Sequence, residues 1–270
     1  MSGNSKVAIP ITDPADPRIA AYRDIRERDL VGREGLSVAE GEVVLRHLVS
    51  SPRHAPVSVL LAEKRVDGLA PLLAGLPPDV PVYAAAQPVL DAIAGFPLHR
   101  GILAIGRPAP EPEAAALLAF LPAGALVLAL FGIANHDNMG GLFRNAAAFG
   151  VDAVLLDPTC CDPLYRKAIR VSVGGVLRVP YLRLTAEVDP VNLLTDAGFT
   201  PLALSPAGEE PLHRLTPPDR AAVLLGAEGP GLPAALLARC RTVSIPMAAG
   251  FDSLNVATTA GIVLHRLRTP

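Results

Sequence analysis

The sequence predicts an α/β protein in which a mostly parallel sheet follows a smaller α/β unit. Short apolar runs alternate with amphipathic segments along the 270 residues, and this is the pattern of strands alternating with helices. Half of the residues are hydrophobic, which is ample for the packed core of one large domain or two ordinary ones. A stretch dense in proline, at residues 107–113, separates two regions of this pattern.

The smaller unit is predicted before this stretch. Its predicted strands are the apolar runs VSVLLA at 57–62, VPVYAA at 80–85 and GILAIG at 101–106, with amphipathic helices at 41–49 and 88–94. The stretch RPAPEPE is expected to form neither a helix nor a strand. We therefore predict an N-terminal domain at residues 1–106, a linker at 107–118 and a second domain at 119–270.

The second domain is predicted to contain the parallel sheet. Six apolar runs recur with helical segments between them, which is typical of a sheet covered on both faces. The runs are ALVLALF, VDAVLLD, VPYLRL, TPLALS, AAVLLGA and TVSIPM, and a last helix is predicted from about residue 255 to 268.

Charge and cysteine content exclude several classes of protein. The formal net charge is −2, so a generally basic, histone-like surface is excluded while a local basic face is not. Three cysteines have neither the number nor the spacing of a disulfide framework or a structural zinc site. No apolar run is long enough to span a bilayer, and the N-terminus lacks the apolar core of a signal peptide. A soluble, cytoplasmic protein is expected.

Two clusters of basic residues are candidates for contacting phosphate. Runs of charge more often form a solvated helix face, and this alternative stays open for both clusters. The clusters are Arg18, Arg23, Arg26, Arg28 and Arg33 near the N-terminus, and Arg166, Lys167 and Arg170 in the second domain.

Three polar, glycine-containing segments each follow a predicted strand. They are NHDNMGGLFRNAAAFG at 135–150, GAEGPG at 226–231 and PMAAGFDSLNV at 246–256. The carboxyl ends of parallel strands meet at one edge of a sheet, where ligands bind. Polar groups in apolar surroundings are costly unless they are hydrogen-bonded. These segments therefore predict one shared pocket.

The first segment is predicted to be a polar loop that leads into a helix at 142–149, with Arg144 about one turn inside. A helix N-terminus offers backbone donors to an anion, and RNA phosphate would suit it. Arg144 carries a planar charged fork that can hold a phosphate, although pairing with a nearby acid such as Asp152 is the plainer alternative. His136 is interpreted as a hydrogen-bonded loop residue rather than a catalytic base.

The other two segments give weaker signals when taken alone. Residues 226–231 lack the Gly-Lys-Ser/Thr ending of a Walker loop and the spacing of a dinucleotide-binding GxGxxG motif. Ser253 is a candidate cap for the last helix, and Asn255 is expected to hydrogen-bond across the pocket.

Together the three segments resemble the three motifs of the SpoU (TrmH) RNA methyltransferases, in the SPOUT superfamily. The motifs are N-x-x-N-x-G-x-x-x-R-N-A, L-G-x-E-G-x-G and I-P-M-x-x-G-x-x-S-L-N-V, and both their order and their spacing match. The resemblance covers residues 123–267, and residues 18–107 look like the small substrate-binding domain that often precedes this fold, with the phrases VAEGEVVLRHL and LHRGILAIG.

The resemblance implies a fold, a cofactor and an assembly. The second domain would be a trefoil-knotted, mostly parallel SPOUT methyltransferase domain, and the protein would be a homodimer through the knot region, with no metal and no membrane partner. S-adenosyl-L-methionine would bind bent within the knot. Its expected contacts are Gly226, Gly229, Ile245, Met247, Leu254 and Asn255.

The reaction that the resemblance implies is methyl transfer to a ribose 2′-hydroxyl of rRNA or tRNA. Arg144 would be the catalytic arginine, which binds phosphate and stabilises the developing alkoxide, while the identity of the base stays open. Asn138 and Asn255 would position the reacting groups, and Glu228 would orient the glycine segment. Arg144, Arg23, Arg26, Arg166 and Lys167 are the expected RNA contacts.

Two alternatives to this reaction remain. One is an RNA-binding protein that keeps the fold without catalysis. The other is a methyltransferase that acts on a small molecule. Salt-sensitive RNA binding would separate the RNA-directed readings from the latter, because phosphate contacts release counterions.

Overall fold

The computed structural model describes residues 6–23, 35–249 and 253–268. The chain forms two compact units. The first consists of Met1–Ala109 with Leu164–Arg178, and the second of Pro110–Pro163 with Val179–Pro270.

Twelve strands are found within these described ranges. In chain order, β1 to β12 are Ile9–Pro10, Ser37–Glu40, His54–Ala62, Val82–Ala85, Ile102–Pro108, Leu126–Leu130, Ala153–Leu156, Tyr181–Arg183, Thr200–Leu204, Glu210–Pro211, Ala221–Leu225 and Arg241–Ser244.

The same part of the chain holds nine α-helices and four short 3₁₀ helices. In order, α1 to α9 are Glu42–Ser50, Val66–Leu73, Gln87–Ala94, Ala114–Ala119, His136–Ala148, Arg166–Val171, Pro190–Asp196, Ala234–Leu237 and Val256–Arg268. The 3₁₀ helices are Pro17–Tyr22, Glu63–Arg65, Gly175–Leu177 and Leu212–Arg214. None of these helices is long and apolar enough to cross a membrane.

The first unit is built on a mixed sheet with the strand order β1-β4-β3-β5-β2. Strand β3 pairs parallel with β4 and antiparallel with β5. The expectation that residues 107–113 form no regular structure is wrong at its start, because β5 continues to Pro108, which lies opposite His54. Proline is tolerated there because it lies at the end of the strand.

The second unit contains a seven-stranded sheet with the order β10-β12-β9-β11-β6-β7-β8. Each pair in it is parallel. Its central strands β6, β7 and β11 are buried along their whole length, as expected for a sheet covered on both faces. The predicted α/β class with a mostly parallel sheet is confirmed. The order of strands alone does not define a knot, which stays a prediction.

One segment of the chain belongs to the first unit although it follows β7 of the second. This segment, Leu164–Arg178, contains α6, which packs against β2. The Arg166 guanidinium donates a hydrogen bond of 2.6 Å to Glu40, and both side chains are largely buried. The hydroxyl of Ser51 donates to the carbonyl of Leu177 at 2.8 Å. Nothing in the sequence had indicated that this segment joins the first unit.

Candidate active site

A cavity of about 420 Å³ lies in the second unit, beyond the ends of β9, β11 and β12. Its walls are mainly glycine and aliphatic residues, with a few polar side chains among them. All six residues predicted to contact the cofactor line it. They are Gly226, Gly229, Ile245, Met247, Leu254 and Asn255. A cavity of this size at the carboxyl ends of parallel strands is typical of α/β proteins that bind a small molecule.

The turn that follows β11 requires glycine at two positions. A Cβ at Gly226 would overlap the backbone of Gly231 and Leu232, so the two sides of the turn meet without side chains between them. Gly229 has a φ of 89°, a conformation that other residues rarely adopt. The amide of Gly231 closes the turn by donating to the Ala227 carbonyl at 3.0 Å. These constraints present backbone groups to the cavity.

Asn255 connects two other predicted site residues, Asn138 and Glu228. Its amide nitrogen donates to Oδ1 of Asn138 at 2.8 Å and to Oε1 of Glu228 at 3.0 Å. Its own Oδ1 accepts hydrogen bonds from the backbone amides of Ala257 and Thr258, at 2.9 and 3.2 Å. Asn255 is therefore the residue that caps α9, a role that the sequence had suggested for Ser253. Both amide protons and the oxygen of Asn255 are used within the protein.

Asn138 reaches this network from α5. The helix begins at His136, six residues before the predicted start at 142, because the side chain of Asn135 caps it. That side chain accepts from the amides of Asp137 and Asn138, at 2.7 and 3.4 Å. From the sequence, the backbone amides at this helix start were expected to bind an anion, but these two amides already donate to Asn135.

Arg144 does not join the network of Asn138, Glu228 and Asn255. Because α5 starts early, Arg144 lies more than two turns inside the helix, not one, and its side chain is exposed. It is not among the residues that line the cavity. The alternative partner Asp152 instead pairs with Arg268 at 2.9 Å. Among the described residues, no hydrogen bond or ion pair of the Arg144 guanidinium is found, so its charge is available to a ligand.

The two helices that carry the network are held together next to it. The side-chain amide of Asn145, one residue after Arg144, donates to the Ala257 carbonyl at 2.6 Å. Gly141 lies so close to α9 that a Cβ there would meet the Ala257 side chain at 2.7 Å. Asn138, on α5, and Asn255, at the cap of α9, are therefore held next to each other by direct packing of the two helices.

Apart from Arg144, the described candidates for RNA contact fall in the first unit. Arg166 is engaged by Glu40 and stacks over the ring of Phe96, with its guanidinium carbon 4.8 Å from the ring centroid. Lys167 and Arg170 are exposed on the same helix, and all three basic residues line one surface cleft with Phe96. Arg23 donates to the backbone carbonyl of Asp16 at 2.8 Å.

The other residues of the N-terminal basic cluster divide into two groups. Arg18 is ion-paired with Asp16 at 2.6 Å. Arg26, Arg28 and Arg33 lie outside the described residues.

The cysteines contribute to packing. Burial raises the pKa of the Cys160 thiol to about 12, so it stays protonated at neutral pH. Its sulfur contacts the amide of Ile133 and the carbonyl of Leu130, each at 3.4 Å, in the turn that leads to α5. Within the described ranges, no group of three or more His, Cys, Asp or Glu side chains could hold a metal ion.

Several lining residues were missed by the sequence analysis. Leu204, Ser205 and Pro206 follow β9, and Thr259 lies in the first turn of α9. The segment after β9 carries no polar motif. Its only signal in the sequence is its place at the carboxyl end of a predicted strand. The rule that ligands bind at the carboxyl ends of parallel strands would have selected this segment.

Comparison with known proteins gives the family. A model of the SpoU rRNA Methylase family matches residues 125–265. An uncharacterized tRNA/rRNA methyltransferase of Mycobacterium bovis, Mb0905, is 40% identical over 94% of this chain and 90% of its own length. The 23S rRNA (guanosine-2′-O-)-methyltransferase RlmB of Acinetobacter baylyi is 30% identical over 69% of this chain and 77% of its own.

A solved structure has the same fold. The AdoMet-bound rRNA methyltransferase from Sinorhizobium meliloti superposes with a TM-score of 0.80 at 22% identity, over 97% of each chain. The family match covers more than half of the chain, and the Mycobacterium bovis relative covers nearly all of it. The chain therefore belongs to the SpoU rRNA methylase family, a family of RNA methyltransferases.

Proposed function

We propose that the protein transfers a methyl group from S-adenosyl-L-methionine to a ribose 2′-hydroxyl of rRNA or tRNA. The observation that carries the proposal is the convergence of two motif segments on one cavity, with the third segment tied to its rim through Asn138 and Asn255. Family membership supports RNA methylation, and the name of the RlmB relative supports the 2′-oxygen as the acceptor. The cytoplasmic location, the knot and the homodimer expected from the sequence belong to the same proposal.

The residues of the cavity fit a bound S-adenosyl-L-methionine. Apolar walls suit an adenine ring, and backbone amides and carbonyls near Gly226 suit its polar edge and the ribose. A side chain at 226 would fill the space between the two arms of the turn. Gly226, Ile245, Met247 and Leu254 would hold the cofactor, which supplies a methyl group activated by a positively charged sulfur.

The polar residues divide into those that position and those that contact a ligand. Asn255 has no hydrogen-bonding capacity left, so its role is to hold Asn138 and Glu228 in place. The side-chain NH₂ group of Asn138 and Oε2 of Glu228 remain available to a ligand, because neither has a hydrogen-bond partner among the described residues. These two atoms would face the reacting ribose. Arg144 would bind an RNA phosphate and stabilise negative charge that develops on the attacking oxygen.

The first unit would supply further RNA contacts. Lys167 and Arg170 are exposed cations on α6, and Arg166 presents a guanidinium already stacked on an aromatic ring. Such combinations of charge and flat surface suit phosphates and unstacked bases. Arg23 and Arg26 remain part of the proposed surface, although the guanidinium of Arg23 already contacts the backbone.

Transfer of a labelled methyl group to unmodified total RNA tests the proposal. Wild-type protein is expected to label RNA, and Arg144→Ala is expected to slow labelling by about 10²-fold or more, because one charge-stabilising donor contributes on that scale. Arg214→Ala is the matched control, because Arg214 is exposed and lies outside the cavity. Near-normal turnover by Arg144→Lys would show that the planar guanidinium group of Arg144 is not required.

The same experiment separates the alternatives. Cofactor binding without methyl transfer to any RNA would contradict the proposal and favour a catalytically silent RNA-binding protein. Labelling of small molecules alone would favour a methyltransferase with a small-molecule acceptor.

A further inference from the structure

A second cleft, of about 440 Å³, lies within the first unit and shares no lining residue with the active-site cavity. The loop after α3 and the segment that contains α6 supply its lining. The described lining combines aromatic rings, a proline and cations, and it contains no acid. The lining residues are Phe96, Pro97, Tyr165, Arg166, Lys167 and Arg170. A cleft of this composition suits a ligand that has both a flat apolar part and negative charge.

The flat part of the cleft is held in place by the protein. The chain turns after α3 at Gly95, whose φ is 77°, and Phe96 then packs against the hydrophobic core of the first unit. The Arg166 guanidinium lies over the Phe96 ring and donates to Glu40 at 2.6 Å. The ring and the guanidinium are therefore fixed before a ligand binds, which lowers the entropic cost of binding.

The positive charge of the cleft comes from α6. Arg166 and Arg170 are four residues apart, so they lie on one face of the helix, and both line the cleft. Glu40 offsets the charge of Arg166. The Arg170 side chain is exposed, and no hydrogen bond or ion pair of its guanidinium is found among the described residues. Arg170 is therefore able to bind a phosphate.

We propose that this cleft binds one unstacked nucleotide of the RNA. The base stacks against the flat surface of Phe96 and Arg166, with Tyr165 beside it, and the phosphate binds Arg170. Aromatic rings and guanidinium planes are the surfaces on which proteins stack unpaired bases. The proposal rests on the proposed function and deepens it, because general phosphate contacts by α6 become a subsite that requires an unpaired nucleotide.

The lining of the cleft predicts which RNA the protein selects. In a duplex, stacking covers both faces of each base, so a duplex offers the cleft only its phosphates. RNA with an unpaired loop, bulge or end offers a base as well. Substrates are therefore expected to carry an unpaired nucleotide. An acidic peptide has the charge for Arg170 but no base to lie against Phe96 and Arg166, so it fits the cleft less well.

Substitutions at Phe96 test the stacking surface. Binding is measured by fluorescence anisotropy with two probes, an unpaired oligouridylate and a blunt RNA duplex of the same length. Phe96→Leu keeps an apolar side chain but removes the ring, so the affinity for oligouridylate should fall by about 5- to 150-fold, the scale of one stacked base. The affinity for the duplex should not change. Phe96→Tyr retains a ring and should bind both probes as wild type does. Phe120→Leu, at an exposed phenylalanine outside the cleft, is the matched control.

The phosphate contact and the position of the base are tested separately. Arg170→Gln should weaken binding of both probes, and for oligouridylate it should lower the slope of log affinity against log salt by about 0.7. Oligouridylate that contains thiouridine should crosslink on irradiation to residues 96–97 or 165–170, which mass spectrometry of the crosslinked peptide identifies. Thermal unfolding shows whether each variant is folded. Tyr165→Leu, which removes the other ring of the lining, takes the place of Phe96→Leu if that variant does not fold.

The outcomes separate this proposal from the proposed function, because binding is measured without methyl transfer. The nucleotide subsite is overturned if Phe96→Leu weakens both probes equally or neither, or if every crosslink lies elsewhere. Binding of a polyglutamate peptide but not of oligouridylate would also overturn it and would favour a protein partner. If wild-type protein forms 2′-O-methylribose while any of these results holds, the subsite fails alone. If wild-type protein forms no 2′-O-methylribose on RNA, the proposed function fails, whatever the binding experiments show.

Discussion

The two sheets place their polar side chains differently. In the second unit, Asn138, Glu228 and Asn255 lie beyond the ends of parallel strands and are joined by hydrogen bonds beside a cavity. In the first unit, Glu40 and His54 lie on the strands of the mixed sheet and are buried there. Of the residues beyond the strand ends, Asn138 and Glu228 each retain a polar group that has no partner among the described residues, whereas residues buried within a strand mainly support the fold.

This difference in the placement of polar residues predicts whether a substitution changes stability, catalytic turnover or RNA affinity. Interior polar groups of the first unit should act on stability, because their protonation or loss leaves uncompensated charge or unpaired atoms. Strand-end groups of the second unit should act on binding and turnover. The exposed basic residues of α6 should act on RNA affinity alone.

The largest expected effect is a pH dependence of stability that comes from His54. Burial, with a smaller effect of Arg53, lowers the pKa of His54 from 6.5 to about 4. As pH falls from about 6.5 to about 4, the unfolded chain takes up a proton that the folded protein does not. The free energy of unfolding should therefore fall by ~1.4 kcal/mol per pH unit, about 3 kcal/mol in all.

Urea unfolding of wild type and His54→Asn between pH 4 and 7.5 measures this effect. Asparagine does not titrate, so His54→Asn should lose the pH dependence of the free energy of unfolding that His54 contributes. His213→Asn, a substitution at an exposed site, should keep the same pH dependence as wild type. Parallel stability curves for wild type and His54→Asn would contradict the account.

Asn255→Asp should reduce turnover with little loss of helix capping. Aspartate caps α9 as well as asparagine does, but it replaces two donated hydrogen bonds with a negative charge next to Glu228. Losing a hydrogen bond to a charged group costs about 1.5–3 kcal/mol, which corresponds to roughly 10- to 150-fold in rate.

Single-turnover methyl transfer and thermal unfolding, measured together, test this prediction. Asn192→Asp, an exposed asparagine of α7, is the control. A rate within a factor of three of wild type would show that the network does not position the reacting groups.

Gly226→Ala should weaken cofactor binding and stability together. The added methyl group meets backbone on the opposite side of the turn, and overpacking of this kind costs about 1–3 kcal/mol. Gly124→Ala, where a Cβ meets nothing within 4 Å, should change neither property. Calorimetric titration with S-adenosylhomocysteine and urea unfolding check both. Wild-type affinity in Gly226→Ala would place the cofactor elsewhere.

The smallest expected effect on stability comes from the double substitution Lys167→Ala and Arg170→Ala. Both side chains are exposed, so the free energy of unfolding should stay within about 0.5 kcal/mol. RNA affinity should fall, and the slope of log affinity against log salt should decrease by roughly 1 to 2, because each phosphate contact contributes about 0.7 to 0.9. An unchanged slope in filter-binding titrations would remove α6 from the RNA surface.

The sequence predicted the parts of the structure that follow from local pattern. Apolar runs such as ALVLALF and AAVLLGA correspond to the central strands β6 and β11. The start of α5 was misplaced because HDNMGG is polar and glycine-rich, whereas the cap from Asn135 and the burial of Asn138 and Met139 stabilise it as a helix. The placement of Arg166 against Glu40, 126 residues apart, is a tertiary contact that no local pattern encodes.

The candidate site was predictable where it carried motifs. The residues predicted to contact the cofactor were selected because glycine and amide residues interrupt apolar runs at 226–231 and 246–256, and they line the cavity. Ser205 and Thr259 were missed because nothing in their neighbourhood is unusual for a strand end or a helix. The two roles of Asn255, capping a helix and joining Asn138 to Glu228, depend on three-dimensional geometry that the motif alone does not contain.

The position of the transferred methyl group tests the central claim most directly. Unmodified RNA is incubated with wild-type protein and labelled S-adenosyl-L-methionine, digested to nucleosides and analysed by mass spectrometry. Methyl label on the ribose, in a linkage that resists alkaline cleavage of the adjacent phosphodiester, is the result that the account predicts. Label on a base, or none on RNA while the cofactor binds, would contradict it.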